Sequence, residues 1–186
     1  PSAARRNAVN IAQLAESAGI AALAIHGRTR DQRYQGQAEH DTLAAVREVI
    51  DIPLIGNGDI TTPEQARALI DRSGCDAVMI GRGAQGRPWI FGEVQHFLDT
   101  GERLEPPTTT MVRDWMLDHL AALHAFYGEH QGVRIARKHI GWYLQSLPGG
   151  ERWRQALVAI DDPKQQLKTA RAAIVAAHQE RLALSA

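Results

Sequence analysis

Apolar residues in the first hundred positions alternate between two textures, stripes with gaps of three and four and short unbroken runs. Ala8, Ile11, Ala12, Leu14, Ala15 and Ala18 form the first stripe within 4–18, and Gly19 supplies its stop. Residues 20–25, 52–55 and 77–80 are the runs, the second with Pro53 near its start, where a missing N–H is tolerable. An apolar run without polar alternation predicts a strand covered on both faces, as in a parallel sheet. Between the runs, Leu43, Val46, Val49 and Ile50 mark one helix. Thr62-Pro63-Glu64-Gln65 opens another, with Thr62 as N-cap, Pro63 at N1 and Gln65 completing a capping box; it runs to about Arg72 and ends at Gly74. Trp89, Ile90, Phe91, Val94, Phe97 and Leu98 stripe a further helix that Gly101 closes. The order α-β-α-β-α-β-α predicts a parallel sheet, and three such units are too few to close a barrel. Residues 1–100 therefore read as the C-terminal part of a (β/α)8 TIM barrel.

Residues 101–110, with Pro106-Pro107 and three threonines, break the composition and predict a linker. Beyond them the period becomes wholly helical. Val112, Trp115, Met116, Leu120, Leu123 and Phe126 mark one amphipathic helix, closed by Gly128, and a second spans about 132–147. After the turn Pro148-Gly149-Gly150 come a short helix through Trp153, Leu157 and Ile160 and a last one over 163–184, through Leu167, Ala170, Ile174, Ala177 and Leu182. Residues 111–186 predict an all-helical bundle domain, making the whole chain α/β.

Composition changes this picture little. The chain has 186 residues, 44% hydrophobic and 23% charged, enough for one or two cores, and no apolar run approaches the roughly 18 residues of a membrane span. It begins at Pro1 without a charged-then-apolar leader, which reads as an excised piece. A single cysteine excludes an intrachain disulfide and a multi-cysteine metal site; no metal and a reducing, cytoplasmic setting are expected. The net charge of zero argues against capture of nucleic acid by the whole molecule but not by a local patch.

Polar chemistry gathers where the runs end, the edge at which parallel sheets place ligands. Asn57-Gly58-Asp59 and Gly81-Arg82-Gly83 are glycine loops after adjacent strands, at positions matching the seventh and eighth strand ends of a barrel, a known phosphate grip. Gly81 and Gly83 open backbone N–H groups to close approach, Arg82 adds a fixed positive fork, and Pro88 sits where a helix can begin, which together predict an anion site. Asp59 reads equally as a turn residue or as a partner for a ligand hydroxyl. His26 reads either as a satisfied core histidine or, with Arg28, as part of one pocket suited to a flavin edge or a carbonyl-rich base. Cys75 precedes the third run, away from this edge, and reads as a small buried hydrophobe.

In the helical part, Arg134, Arg137, Lys138, Gly141 and Gln145 share a helix face, flanked by Trp142 and Tyr143. From 130 to 160 there are five Lys or Arg residues and one acid, Glu151. Such a face is either simply solvated or a contact for nucleic-acid phosphates with aromatic neighbours. Lys164, Lys168 and Arg171 form another stripe, read as solvated.

Taken in order, Ile25-His26-Gly27-Arg28-Thr29-Arg30, Tyr34 and Gly36, residues 52–60, residues 74–84 and Pro88-Trp89-Ile90-Phe91 resemble the bacterial tRNA-dihydrouridine synthases. Residues 134–139 with Trp142-Tyr143 resemble that family's helical tRNA-binding domain, in its B subtype. The resemblance implies an FMN-dependent, NADPH-recharged TIM-barrel oxidoreductase that reduces a uridine of the tRNA D-loop to 5,6-dihydrouridine, cytoplasmic and monomeric at full length. It implies FMN contacts from His26, Asn57, Gly58, Asp59, Gly81 and Arg82, and substrate contacts from His26, Arg28, Arg134, Arg137 and Lys138. The family's acid cysteine, in an Asn-x-Gly-Cys-Pro motif, and its flavin-contacting lysine do not occur here. No catalytic acid is therefore expected in this piece, which should be inactive alone. The alternatives are a non-catalytic RNA-binding module with a barrel remnant and another FMN-dependent barrel oxidoreductase.

Overall fold

The computed structural model describes residues 6–33, 35–145 and 147–184 and shows an α/β chain that falls into two units. The first lies within 1–84 and 88–104, the second within 85–87 and 105–186. Three parallel strands carry the first unit: β1 (Leu23–His26), β2 (Leu54–Asn57) and β3 (Ala77–Met79), in the order β1-β2-β3. Leu23 pairs with Leu54, His26 with Asn57, and Asn57 with Met79, so the three strands end level with one another.

One face of this sheet is packed. Leu54 is fully buried with Leu43 and Val46 of α2 (Asp41–Arg47), Ala66 and Leu69 of α3 (Pro63–Ser73), and Ile90 and Val94 of α4 (Ile90–Thr100). Each such aliphatic contributes about 1.5–3 kcal/mol by leaving water. Gly56 lies so close to this layer that a Cβ would meet Leu69 Cδ2 at 2.4 Å and Cys75 Sγ at 3.0 Å. Leu23, Ile25 and Val78 pack on the same side. The alternate residues Ala24, His26, Ile55, Asn57, Ala77 and Met79 occupy the other face, which helices do not cover; Met79 is 46% exposed. Strands buried on both faces are thus not what forms. The unbroken apolar runs reflect one packed face plus an apolar open one.

Local chemistry sets the ends. Thr62 accepts from the Gln65 amide and Gln65 returns the bond to the Thr62 amide, so the capping box of α3 is formed, and Gly74 ends the helix at φ +68°. The first helix, α1 (Ala8–Ser17), buries only Ala12 fully and leaves Leu14 65% exposed. β1 starts three residues later than the run 20–25, where pairing with β2 becomes possible. Ile52 and Pro53 precede β2, and the Pro53 carbonyl accepts from the Leu23 amide. Pro88 does not open a helix directly after β3. A 3-10 turn, Arg82–Ala84, comes first, and α4 starts at Ile90.

The second unit is helical, with α5 (Thr109–Tyr127), α6 (Glu129–Leu144), α7 (Gly150–Val158) and α8 (Pro163–Leu184). Met116, Leu120, Ala136, Ile140, Leu157, Ala170 and Ile174 are buried there. His124 Nε2 donates to Gln166 Oε1 at 2.8 Å while Gln166 Nε2 donates to the Val133 carbonyl, which satisfies both buried polar side chains. Of the expected stripe of α5, Met116 and Leu120 are buried but Trp115 is 37% and Phe126 81% exposed, because the buried row runs through Met116, Leu117, Leu120 and His124. Thr108 caps α5, so Thr109 and Thr110 of the expected linker are already helical. Leu182 and Tyr34 fall outside what is described of side chains and residues respectively.

Candidate functional site

Parallel pairing brings the segments after β1, β2 and β3 to one edge of the sheet. The segment after β2 turns sharply, Gly58 at φ +152° and Asp59 at φ +52°, the latter in the left-handed region that a non-glycine residue enters at a cost. That turn aims the Asp59 carboxylate at its neighbours. Oδ2 accepts from Arg28 Nη2 at 2.6 Å and from the Ala38 amide at 2.7 Å, and Oδ1 faces Arg82 Nη2 at 3.4 Å. One carboxylate thus joins the segments that follow all three strands. The hydrogen bond from Arg28 holds the Asp59 carboxyl below the ordinary value; burial, the next influence in size, opposes this, and the Ala38 amide and the Arg82 charge add to the lowering.

Arg28 is the buried member of this group, its side chain 3% exposed. Besides Asp59 it donates to the carbonyls of Gly36 at 2.6 Å and Gln35 at 3.2 Å, while its Nη1 is buried without a partner among the described residues. Arg28 therefore holds the 35–38 segment against Asp59, a role that single-residue reading of the sequence did not show. Arg82, half-exposed, is the guanidinium that faces outward from the turn after β3. Two guanidinium groups thus stand at this edge beside one carboxylate, a donor-rich arrangement that suits an anion.

The three glycines differ in role. A Cβ on Gly83 would lie 2.2 Å from the Ile60 carbonyl oxygen, and one on Gly58 2.5 Å from Ala38 Cβ, so these two permit loops to touch. Gly81 has nothing within 4 Å of such a Cβ and borders open space. His26 and Asn57, register partners on the open face, are joined: Nδ1 lies 2.8 Å from Asn57 Oδ1 and 3.2 Å from its carbonyl oxygen. Both are acceptors, so Nδ1 is the donor. His26 and Arg28 line the same cleft of about 510 Å³. Cys75 lies in the helix layer before β3, 3% exposed, and burial pushes its thiol above the ordinary value. Among the described residues no group of three or more His, Cys, Asp or Glu is arranged to hold a metal, and no helix is long and apolar enough to cross a membrane.

On α6 the basic residues divide. Arg137 donates to Asp161 at 2.5 Å and to the Ile160 carbonyl at 3.1 Å, tying α6 to the end of α7. Arg152 pairs with Glu180 and Arg154 with Glu151. Arg134 and Lys138 are exposed and have no acidic partner among the described residues; Lys138 Nζ lies 5.0 Å from the Trp142 ring centroid. Tyr143 is buried, and burial pushes its hydroxyl up to about 12. Neighbouring rings, His119 and His139, lie 4.6 Å apart, both drawn below the ordinary histidine value by burial.

The family model described as dihydrouridine synthase matches residues 3–179. A tRNA-dihydrouridine synthase B of Pseudomonas putida is 53% identical over 169 residues, 91% of this chain and 50% of the relative. One from Xanthomonas axonopodis pv. citri is 55% identical over 166 residues, 89% of this chain and 50% of the relative. One from Salmonella typhimurium is 53% identical over 163 residues, 88% and 51% of the two chains. The chain spans about half the length of these relatives.

Proposed function

Because the chain belongs to the dihydrouridine synthase family, we propose that it is the C-terminal half of an enzyme reducing uridine to 5,6-dihydrouridine in the tRNA D-loop. In this reading β1, β2 and β3 are the last three strands of a (β/α)8 barrel, and the sheet face left open by the helices is the barrel interior. The helical unit is the tRNA-binding domain, with Arg134 and Lys138 toward RNA and Arg137, bonded to Asp161 and the Ile160 carbonyl, holding α6 in place.

The observation that carries the reading is the bond network through Asp59, which joins two adjacent glycine turns and holds a half-exposed Arg82 at the ligand edge. A flavin phosphate fits what stands there: the open space at Gly81, the half-exposed Arg82 guanidinium and the orphaned buried Nη1 of Arg28. Asn57, Gly58, Gly81 and Arg82 would hold that end of FMN, with Asp59 fixing their mutual position. When bound, FMN reduced by NADPH would supply the hydride for one carbon of the uracil double bond, the other carbon taking a proton. His26, oriented by Asn57, offers a hydrogen-bonding nitrogen to the flavin and the uracil, while Arg28 fixes the segment beside them. No residue of this chain takes the role of proton donor, since Cys75 lies at the opposite end of the sheet with a thiol that resists ionisation.

The test is to purify the full-length protein, measure bound FMN, and assay dihydrouridine formed in tRNA lacking it. Arg82→Ala should weaken FMN binding at least about tenfold, a charge-assisted contact being worth about 1.5–3 kcal/mol. A colourless protein that leaves tRNA uridine unchanged would overturn the reading.

A further inference from the structure

The segment after β1 carries two guanidinium groups that the network above does not use. Arg30 and Arg33 are exposed, and neither has an acidic partner among the described residues. Both line one surface hollow of about 570 Å³ with Asp31 and Gln35, and the Thr29 hydroxyl donates to the Asp31 carboxylate. The hollow is held in shape from below. Gln32 Oε1 accepts from the Thr29 amide, the Gln32 backbone amide donates to the Thr29 carbonyl, and the Gln35 backbone amide donates to the Gln32 carbonyl. Arg28 clamps the carbonyls of Gln35 and Gly36, and Arg33 is fixed at φ +50°. Arg28 is neutralised by Asp59, so what the segment shows to solvent is Arg30 and Arg33 against one acid. In a chain of zero net charge this is a local positive patch on a preformed loop, at the ligand edge of the sheet.

We propose that Arg30 and Arg33 bind phosphodiesters of the tRNA strand that enters the site, as a contact separate from that of the helical unit. The proposal rests on the tRNA reading above. Guanidinium forks suit phosphate oxygens bidentately, and a loop ordered beforehand loses little freedom on binding. Such contacts fix the position of the strand rather than read its sequence. The charge complementarity of the patch favours a polyanion over a single small ligand, since two forks on one hollow can take successive phosphates.

The experiment compares the FMN-loaded full-length protein with its Arg30→Ala/Arg33→Ala and Arg30→Lys/Arg33→Lys forms. The readouts are tRNA affinity against salt between about 50 and 200 mM, steady-state kinetics, and flavin reduction by NADPH. The alanine pair should weaken tRNA binding about tenfold or more at low salt and flatten the log-log salt slope by about 1.4–1.8, with each lost phosphate contact removing about 0.7–0.9. KM for tRNA should rise while kcat, flavin content and the NADPH reaction stay unchanged, and the lysine pair should restore most of the slope. An unchanged slope overturns the proposal. So does a slope that lysine fails to restore, which makes the residues structural, or a raised KM for NADPH with intact tRNA affinity, which assigns the patch to the reductant. If the unaltered protein neither binds tRNA nor forms dihydrouridine, it is the functional reading that fails.

Discussion

A carboxylate that accepts from one buried arginine, one amide and faces a second arginine is placed to hold loops, not to move protons. Asp59→Asn keeps the shape and removes the charge, leaving Arg28 as a buried cation without its counter-ion. Asp59 is itself about one-third exposed, which discounts the loss to about 1–2 kcal/mol of stability, read by denaturant unfolding. The pH dependence has a definite sign. A carboxyl lowered in the native state stabilises above its unfolded value and loses that contribution as pH falls through the lowered native one. The stability gap between wild type and Asn variant should therefore be flat at neutral pH and close only in acid below the ordinary 3.8. A gap that closed near pH 6 would assign the effect to another group. The sequence marked Asp59 as notable from its place in the glycine loop after the second apolar run. Its partners were not legible, because Arg28 lies 31 positions away and Ala38 21, and nothing local specifies either pairing.

Elements were most readable where a local rule decides them. The capping box of α3 depends only on Thr62 and Gln65, and it formed as the pattern required. Thr62→Ala should cost about 1 kcal/mol in thermal or denaturant unfolding of the first unit. Burial along strands was less readable, because an apolar run does not say whether its second face meets helices, other strands or nothing. The turn 85–87 shows the same limit within the second unit. Gly86 sits at φ +71°, and a Cβ there would lie 2.2 Å from the Trp142 carbonyl oxygen, a backbone atom that cannot step aside. Gly86→Ala thus combines an unfavourable left-handed residue with a clash and should cost about 2–4 kcal/mol. Protease sensitivity at the turn should rise while far-UV helicity persists; an alanine variant as resistant as wild type would mean that the turn does not rest on α6.

At the scale of the whole molecule, the neutral sum of charges concealed its arrangement, since ion pairs hold Arg113, Arg137, Arg152 and Arg154 of the helical unit while Arg134 and Lys138 stay exposed. The open sheet face is the larger consequence. Met79 and Ile55 sit on it beside Asn57 and His26, apolar yet uncovered by helices in this chain. In a complete barrel the same residues would be enclosed. Met79→Lys therefore has opposite meanings in the two contexts. In the 186-residue chain the lysine reaches water, and the change should alter stability by less than about 0.5 kcal/mol while reducing association through the exposed apolar face. In the full-length protein it places an unpaired cation in a barrel interior and should cost about 3–5 kcal/mol and abolish flavin retention. Paired unfolding curves and sedimentation of both forms measure the contrast. Equal effects in the two would mean that this face stays open in the longer protein, and the three strands would then not be part of a closed barrel.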